Sequence, residues 1–378
     1  MLTSFKILRA SNIKRRTLQF EETGGVMLSD ISIEPFRGDI EGLEKMAFSS
    51  WRDEYGIESF PNFYRPAFLK YLFGHIQDER ALIAAYRGDE VVSFLANLPR
   101  HFSFKGKKYY AALSCIMVTR KELLRRGLGL AIIREGLKFN KELKYDFTLF
   151  TLESGHRSSL MIKKLEESGD PVKFVKRMYV VARVLDLERA SVSEGLKSWE
   201  KVAIKIIGAH RHPKTNSSVS VREYRPEDIE ACLNLLNQYK EHVGLARVWE
   251  RDELAWELDY PDVSKTLVYE KSGRVEGLIN YILYEHIGKT KERWAWINHV
   301  AYPTLSGRER VGFINAFLHY IKESNCIGAL EFTKKYYPMA PLYKAHFFPY
   351  FRSVKMVSWS FNPDVVIENI PDVYEVQI

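Results

Sequence analysis

Cysteine is scarce in this chain: three in 378 residues, Cys115, Cys232 and Cys326, far apart and in apolar settings. They offer neither metal-ligand spacing nor a disulfide framework, which predicts a reducing, cytoplasmic setting and buried structural thiols. No stretch approaches the roughly 18–20 uninterrupted apolar residues of a membrane span. The N-terminus lacks the continuous apolar segment of a signal peptide. Low-complexity tracts, heptad arrays and a complete P-loop are missing as well: Gly288-Lys289-Thr290 has leucine, not glycine, five residues before Gly288. Charge of one sign is also limited, since 56 Lys and Arg against 48 Asp and Glu give +8. Lys6, Arg9, Lys14, Arg15 and Arg16 against Glu21 and Glu22 place +3 of it in residues 1–26, leaving +5 for the rest. That mild balance suits an anionic ligand and argues against nucleic acid as a partner.

An apolar fraction of 46% is enough for real cores, and the length suits two domains. Residues 1–27 are poorly patterned and are expected to be a disordered or non-native leader. The remainder repeats itself. Ile31-Ser32-Ile33-Glu34-Pro35-Phe36-Arg37 followed by Asp39-Ile40-Glu41-Gly42-Leu43 corresponds to Val219-Ser220-Val221-Arg222-Glu223-Tyr224-Arg225 followed by Asp228-Ile229-Glu230. Each is an alternating strand running into an amphipathic helix. A hairpin then occurs in each half, Ala81–Ala85 with Val91–Leu98, and Thr266–Glu270 with Val275–Leu283. Gly88 and Gly273 sit in the two turns. A third strand follows, Tyr109–Val118 or Trp294–Tyr302, and then a helix. The spacing predicts domains at 28–185 and 217–378, joined by a linker over 186–216. Leu196, Trp199, Val202, Ala203 and Ile206 give that linker one amphipathic helix.

Between the strand Tyr109–Val118 and its helix lies Arg126-Gly127-Leu128-Gly129-Leu130-Ala131. A glycine-rich turn opening a helix directs free backbone N–H groups and the positive end of the helix dipole at one spot, a seat for a pyrophosphate. Arg125 and Arg126 add cations. Gly127-x-Gly129 lacks the third small residue of a dinucleotide fingerprint.

The spacing Arg-x-x-Gly-x-Ala and the element order strand-helix-helix-strand-strand-strand-helix-strand-helix-strand resemble the GNAT acyltransferase superfamily. The resemblance covers about 28–185 and 217–362. It implies an α/β fold of two tandem GNAT-like domains, each a mixed, mostly antiparallel sheet flanked by helices. It also implies acetyl-CoA or another acyl-CoA as co-substrate, with no metal, and an amine on a small molecule, sugar or peptide as acceptor. Ile116 and Val118, on the strand that splays from Asp146–Glu153, would meet the pantetheine arm and polarise the thioester. Arg125, Arg126, Gly127, Leu128, Gly129, Leu130 and Ala131 would hold the pyrophosphate.

Glu153 at the end of the fifth strand and His156 in the next turn are the candidate bases. Whichever of Ser114 and Cys115 faces the cleft would orient the acceptor. In some tandem relatives the C-terminal carboxylate, here on Ile378, is the base. The family's acid, a tyrosine in a Leu-Tyr-x-x-x-Gly-Phe context, has no match in Ser158–Gly169. The second half has it as Leu342-Tyr343-Lys344-Ala345-His346-Phe347-Phe348, so Tyr343 is either a relic or reaches a shared cleft. Conversely, the second half sets Arg310, Val311, Phe313 and Asn315 against Arg126, Gly127, Gly129 and Ala131, which predicts a lost coenzyme site. Two-copy relatives include Eis-like aminoglycoside acetyltransferases, protein myristoyltransferases and FemABX-type peptidyltransferases. An aminoacyl transferase of the last type and a non-catalytic CoA-binding protein are the alternative readings.

Overall fold

The computed structural model describes residues 30–55, 60–124, 126–153, 157–214 and 220–374. The leader, Arg125, His156 and Ile378 therefore lie outside the described residues. The first copy runs β1 Ile31–Pro35, α1 Ile40–Tyr55, α2 Pro66–Phe73, β2 Leu82–Arg87, β3 Glu90–Phe104, β4 Lys107–Thr119, α3 Leu128–Glu142, β5 Phe147–Glu153, α4 Arg157–Glu167 and β6 Val172–Val184. The connection holds α5 Leu187–Ser193 and α6 Ser198–Ile206. The second copy repeats the order as β7 Val221–Glu223, α7 Ile229–Lys240, α8 Arg251–Leu258, β8 Ser264–Lys271, β9 Arg274–Ile287, β10 Lys291–Ala301, α9 Gly307–Glu323, β11 Cys326–Phe332, α10 Ala340–Lys344 and β12 Phe348–Ser360.

The hairpin turns are where glycine predicts them, with Gly88 at φ 60 and Gly273 at φ 74. Alternation in β1 buries Ile31 and Ile33 and leaves Ser32 and Glu34 outward. In β2 the run Ile83-Ala84-Ala85-Tyr86 is buried throughout, because helices cover both faces there.

These twelve strands form the main path of one fifteen-stranded sheet, in the order β1-β2-β3-β4-β5-β12-β6-β11-β10-β9-β8-β7, with the short strands Phe60–Pro61, Leu245–Val248 and Val373–Tyr374 off it. Only β4·β5 and β10·β11 are parallel neighbours along it. The last strands of the two copies are exchanged. β12, from the second copy, lies beside β5 with Val354 opposite Glu153 and Ser360 opposite Phe147. β6, from the first, lies beside β11 with Gly328 opposite Val184. Each copy thereby covers an edge that would otherwise expose unpaired backbone. Packing follows the same division. One core lies beneath α3 and α4, another beneath α7 and α9. A third is shared, combining Phe94, Leu98 and Met356 with Ile282, Tyr284, Trp294 and Phe332.

Candidate active site

Both copies break the sheet at the same place. In the first, β4 and β5 pair from Ala111/Phe147 to Ser114/Phe150 and then part, leaving Cys115–Thr119 and Thr151–Glu153 diverging. An extra residue in β4 shifts its register against β3, and Ile116 takes φ 52. A left-handed backbone is a genuine outlier for a β-branched side chain, the kind of local strain that recurs at functional sites. In the second copy β10 and β11 part after Trp296/Leu330, and the extra residue is Asn298.

The two openings have opposite fates. In the second, the ammonium of Lys334 fills the gap, donating to the carbonyl of Asn298 at 2.6 Å and pairing with Glu331 at 3.2 Å. Tyr336 accepts from the N–H of Val300 at 2.8 Å, and Tyr374 stacks on Tyr336 with centroids 4.4 Å apart. The first opening leads instead into a cavity of about 660 Å³. Ile116 and Met117 of β4 and Thr151 and Glu153 of β5 form its mouth. Phe63, Tyr64, Tyr284, Trp294, Trp296, Phe332 and Phe348 wall it, and Ile204 of α6 closes it.

The helices at the two openings differ in the same sense. α9 starts with a capping box: Ser306 accepts from the N–H of Glu309, and Glu309 accepts from the N–H of Ser306 at 2.8 Å. Arg310 N–H donates to Ser306 C=O at 2.9 Å, and its guanidinium donates to the carbonyls of Tyr302 and Pro303. The backbone that would meet a pyrophosphate is thus already inside the helix. α3 begins at Gly127, φ 85, with no side-chain cap and no acid in its first turn.

Leu128 is fully buried beneath the turn, while Leu130 and Ala131 are half-buried against the same core. Arg126 is exposed beside it. Gly129 also has a packing role. A Cβ there would stand 2.8 Å from Met161 Sδ and 3.3 Å from Met117 Cε, so its bareness serves helix packing.

The polar end of the cavity combines both copies. Glu153, 29% exposed, lies 3.8 Å from Arg352 Nε. Arg352 sits where β12 slips register against β6, between Tyr350 and Ser353. Burial pulls the Arg352 guanidinium down, but Tyr350, Glu153 and Glu194 outweigh it and hold the group above its ordinary value. His286 of β9, buried, places Nδ1 2.9 Å from Glu194, and both line the cavity. Tyr64 donates to the carbonyl of Met117 at 3.2 Å; burial, with Cys115 beside it, raises this phenol.

Cys115 faces the cavity, whereas Ser114 is buried and donates to Asn97. Val118 turns its carbonyl to the Ser93 hydroxyl at 2.9 Å. Tyr343 is 45% exposed on α10 and lines no part of the cavity. Cys232 and Cys326 are buried, and burial pushes both thiols up to about 12. Among the described residues no helix is long and apolar enough to cross a membrane.

No family model and no curated protein matches this sequence. Solved structures do match the fold. An N-myristoyltransferase from Saccharomyces cerevisiae with bound myristoyl-CoA superposes with TM-score 0.76 at 13% identity, over 98% of this chain and 96% of that one. A GCN5-related N-acetyltransferase from Kribbella flavida gives 0.52 at 13% identity, over 88% of this chain and 71% of that one. Another from Anabaena variabilis gives 0.53 at 11%, over 86% and 72%.

The chain has the GNAT fold, in tandem. In GNAT terms the parted β4 and β5, the β4 bulge and the uncapped α3 are all present in the first copy. The second GNAT-like copy keeps the bulge and has lost the space. Sequence reasoning missed Tyr64, Glu194, His286 and Arg352. None belongs to the first copy's loop or its flanking strands, and only the places of β9 and β12 in the shared sheet bring the last two to the cavity.

Proposed function

We propose that this chain is an acyl-CoA-dependent N-acyltransferase with one coenzyme site, in the first copy, and an acyl group longer than acetyl. The observation that carries the reading is the open β4/β5 fork leading into a large apolar cavity, set against its plugged twin. The uncapped N–H groups of α3, with Arg126 beside them, would hold the pyrophosphate. The diverging edges of β4 and β5 offer backbone groups to the pantetheine arm. The binding of myristoyl-CoA by the yeast neighbour is consistent with a long acyl chain here.

The acceptor amine attacks the thioester carbonyl, its excess proton passes to a base, and the coenzyme thiolate leaves. His286 is the base we favour, since its ring lines the cavity and is held by Glu194 at 2.9 Å. Glu153 is the rival base and faces Arg352.

Thiol release from acyl-CoAs of increasing chain length, with a panel of amines and peptides, tests the activity. Long acyl-CoAs should be turned over faster than acetyl-CoA. Coenzyme binding without release under every amine would instead leave a CoA-binding protein, and transfer of the aminoacyl group from aminoacyl-tRNA to the amine, with the tRNA leaving and no thiol released, would favour the aminoacyl reading. His286→Asn should lower kcat about 100-fold or more while leaving coenzyme affinity unchanged. If Glu153→Gln carries that loss and His286→Asn does not, Glu153 is the base.

A further inference from the structure

The linker helix α6 does more than strap the copies together. Its predicted apolar stripe is divided: Leu196, Trp199 and Ala203 line the cavity, whereas Val202 and Ile206 do not. The helix presses Glu200 and Ile204 toward the cavity, while Val202 is 55% and Ile206 76% exposed, and Trp199, at the border between the two faces, lines the cavity yet is 59% exposed. At 3.6 residues per turn, Val202, Ile206 and Trp199 share one outward sector, and Lys201 and Lys205 stand together beside it. Single exposed apolar residues are ordinary, but three on one sector of a nine-residue helix are not.

The surrounding charge is one-sided. Across 197–214 the chain has Lys197, Lys201, Lys205, Arg211 and Lys214 against a single acid, Glu200. No ion pair joins Lys201 or Lys205 to an acid among the described residues. Glycines in the left-handed region bracket the helix, Gly195 at φ 64 and Gly208 at φ 72. α6 also closes the apolar cavity, through Leu196, Ala203, Ile204 and Ile207.

We propose that α6 is an interfacial helix that docks the protein on an anionic lipid surface, with the Val202/Ile206/Trp199 sector in the acyl boundary and the lysines at the headgroups. An aqueous partner protein is the poorer fit, because the apolar sector and its basic flank match the layered chemistry of a bilayer surface. Docking would place the α6 wall of the apolar cavity against the bilayer surface, where amphiphilic substrates concentrate. The inference concerns α6 alone, and it stands or falls separately from coenzyme binding.

The test is co-sedimentation of the full chain with vesicles of phosphatidylcholine, with and without about 30% phosphatidylglycerol, at low and high salt. Binding is expected to the anionic vesicles and to weaken with salt. Val202→Ser/Ile206→Ser, neither of which lines the cavity, should weaken it about tenfold or more. Lys201→Gln/Lys205→Gln should abolish the preference for phosphatidylglycerol. Unchanged melting temperatures establish that the variants are folded. No partition of the wild type onto anionic vesicles, or full binding by the serine variant, overturns the proposal. Concentration-dependent dimerisation lost in Ile206→Ser, without vesicle binding, would assign the face to a second copy instead.

Discussion

Gly127→Asp should leave the protein folded and weaken coenzyme A binding roughly 100-fold, measured by titration calorimetry. Gly127 caps α3 with φ 85, and a Cβ placed there meets nothing within 4 Å. Aspartate tolerates the left-handed region better than most residues, at a cost of about 1 kcal/mol, and its carboxylate would accept from the helix N–H groups. The substitution thereby gives α3 what Ser306 and Glu309 give α9: a helix start satisfied by its own chain and negatively charged. A pyrophosphate then loses its donors and gains a repelling charge. One charge-assisted hydrogen bond is worth about 1.5–3 kcal/mol, enough for the expected drop. Wild-type affinity in this variant would mean that the nucleotide sits elsewhere.

Arg247→Met should destabilise the fold by about 3 kcal/mol, seen as a lower urea midpoint at an unchanged slope. Arg247 is fully buried, donates to Glu257 at 2.6 Å and to Glu253 at 2.5 Å, and lies 3.5 Å over the Trp249 ring. Its strand, Leu245–Val248, pairs with β3 of the first copy, and Arg100 of β3 reaches the same two carboxylates. Methionine replaces the volume but leaves Glu257 buried beside a single guanidinium and His299.

The effect depends on pH. Burial alone would raise the Glu257 carboxyl, but Arg247 foremost, then His299 and Arg100, hold it well below its ordinary 4.5. A depressed folded-state pKa contributes stability above the unfolded value and loses it as pH falls through the folded one. Wild-type stability should therefore decline only below about pH 4.5 from this group. In Arg247→Met the decline should start at higher pH, because the chief counter-charge is gone. Urea midpoints at several pH values check both statements.

Periodicity and turn chemistry were sufficient for the element order, because strands and helices announce themselves within a few residues: Gly88 and Gly273 mark both hairpins, and the repeat exposes the tandem arrangement. The loop at Arg126 was legible for the same reason. The side chains at Val311, Phe313 and Asn315 were the difference visible between the two loops, but the second opening is filled from elsewhere. What fills that opening is Lys334 and Tyr336, three dozen residues away along the chain from Ile297 and Val300, and the helix there begins earlier than its twin. The stripe of α6 was visible as well, but periodicity reports that a helix has an apolar face, not what covers it.

Sequence by itself determined local structure, the duplication and the glycine turn that opens α3, all of which depend on neighbours in the chain. The tertiary structure alone decided the exchange of β6 and β12, the opening of one fork and the plugging of the other. It also brought His286 and Arg352 to a cavity that begins at Ile116. Those outcomes rest on strand pairing and side-chain packing between residues far apart in the chain, such as Ser360 and Phe147, which no local pattern encodes.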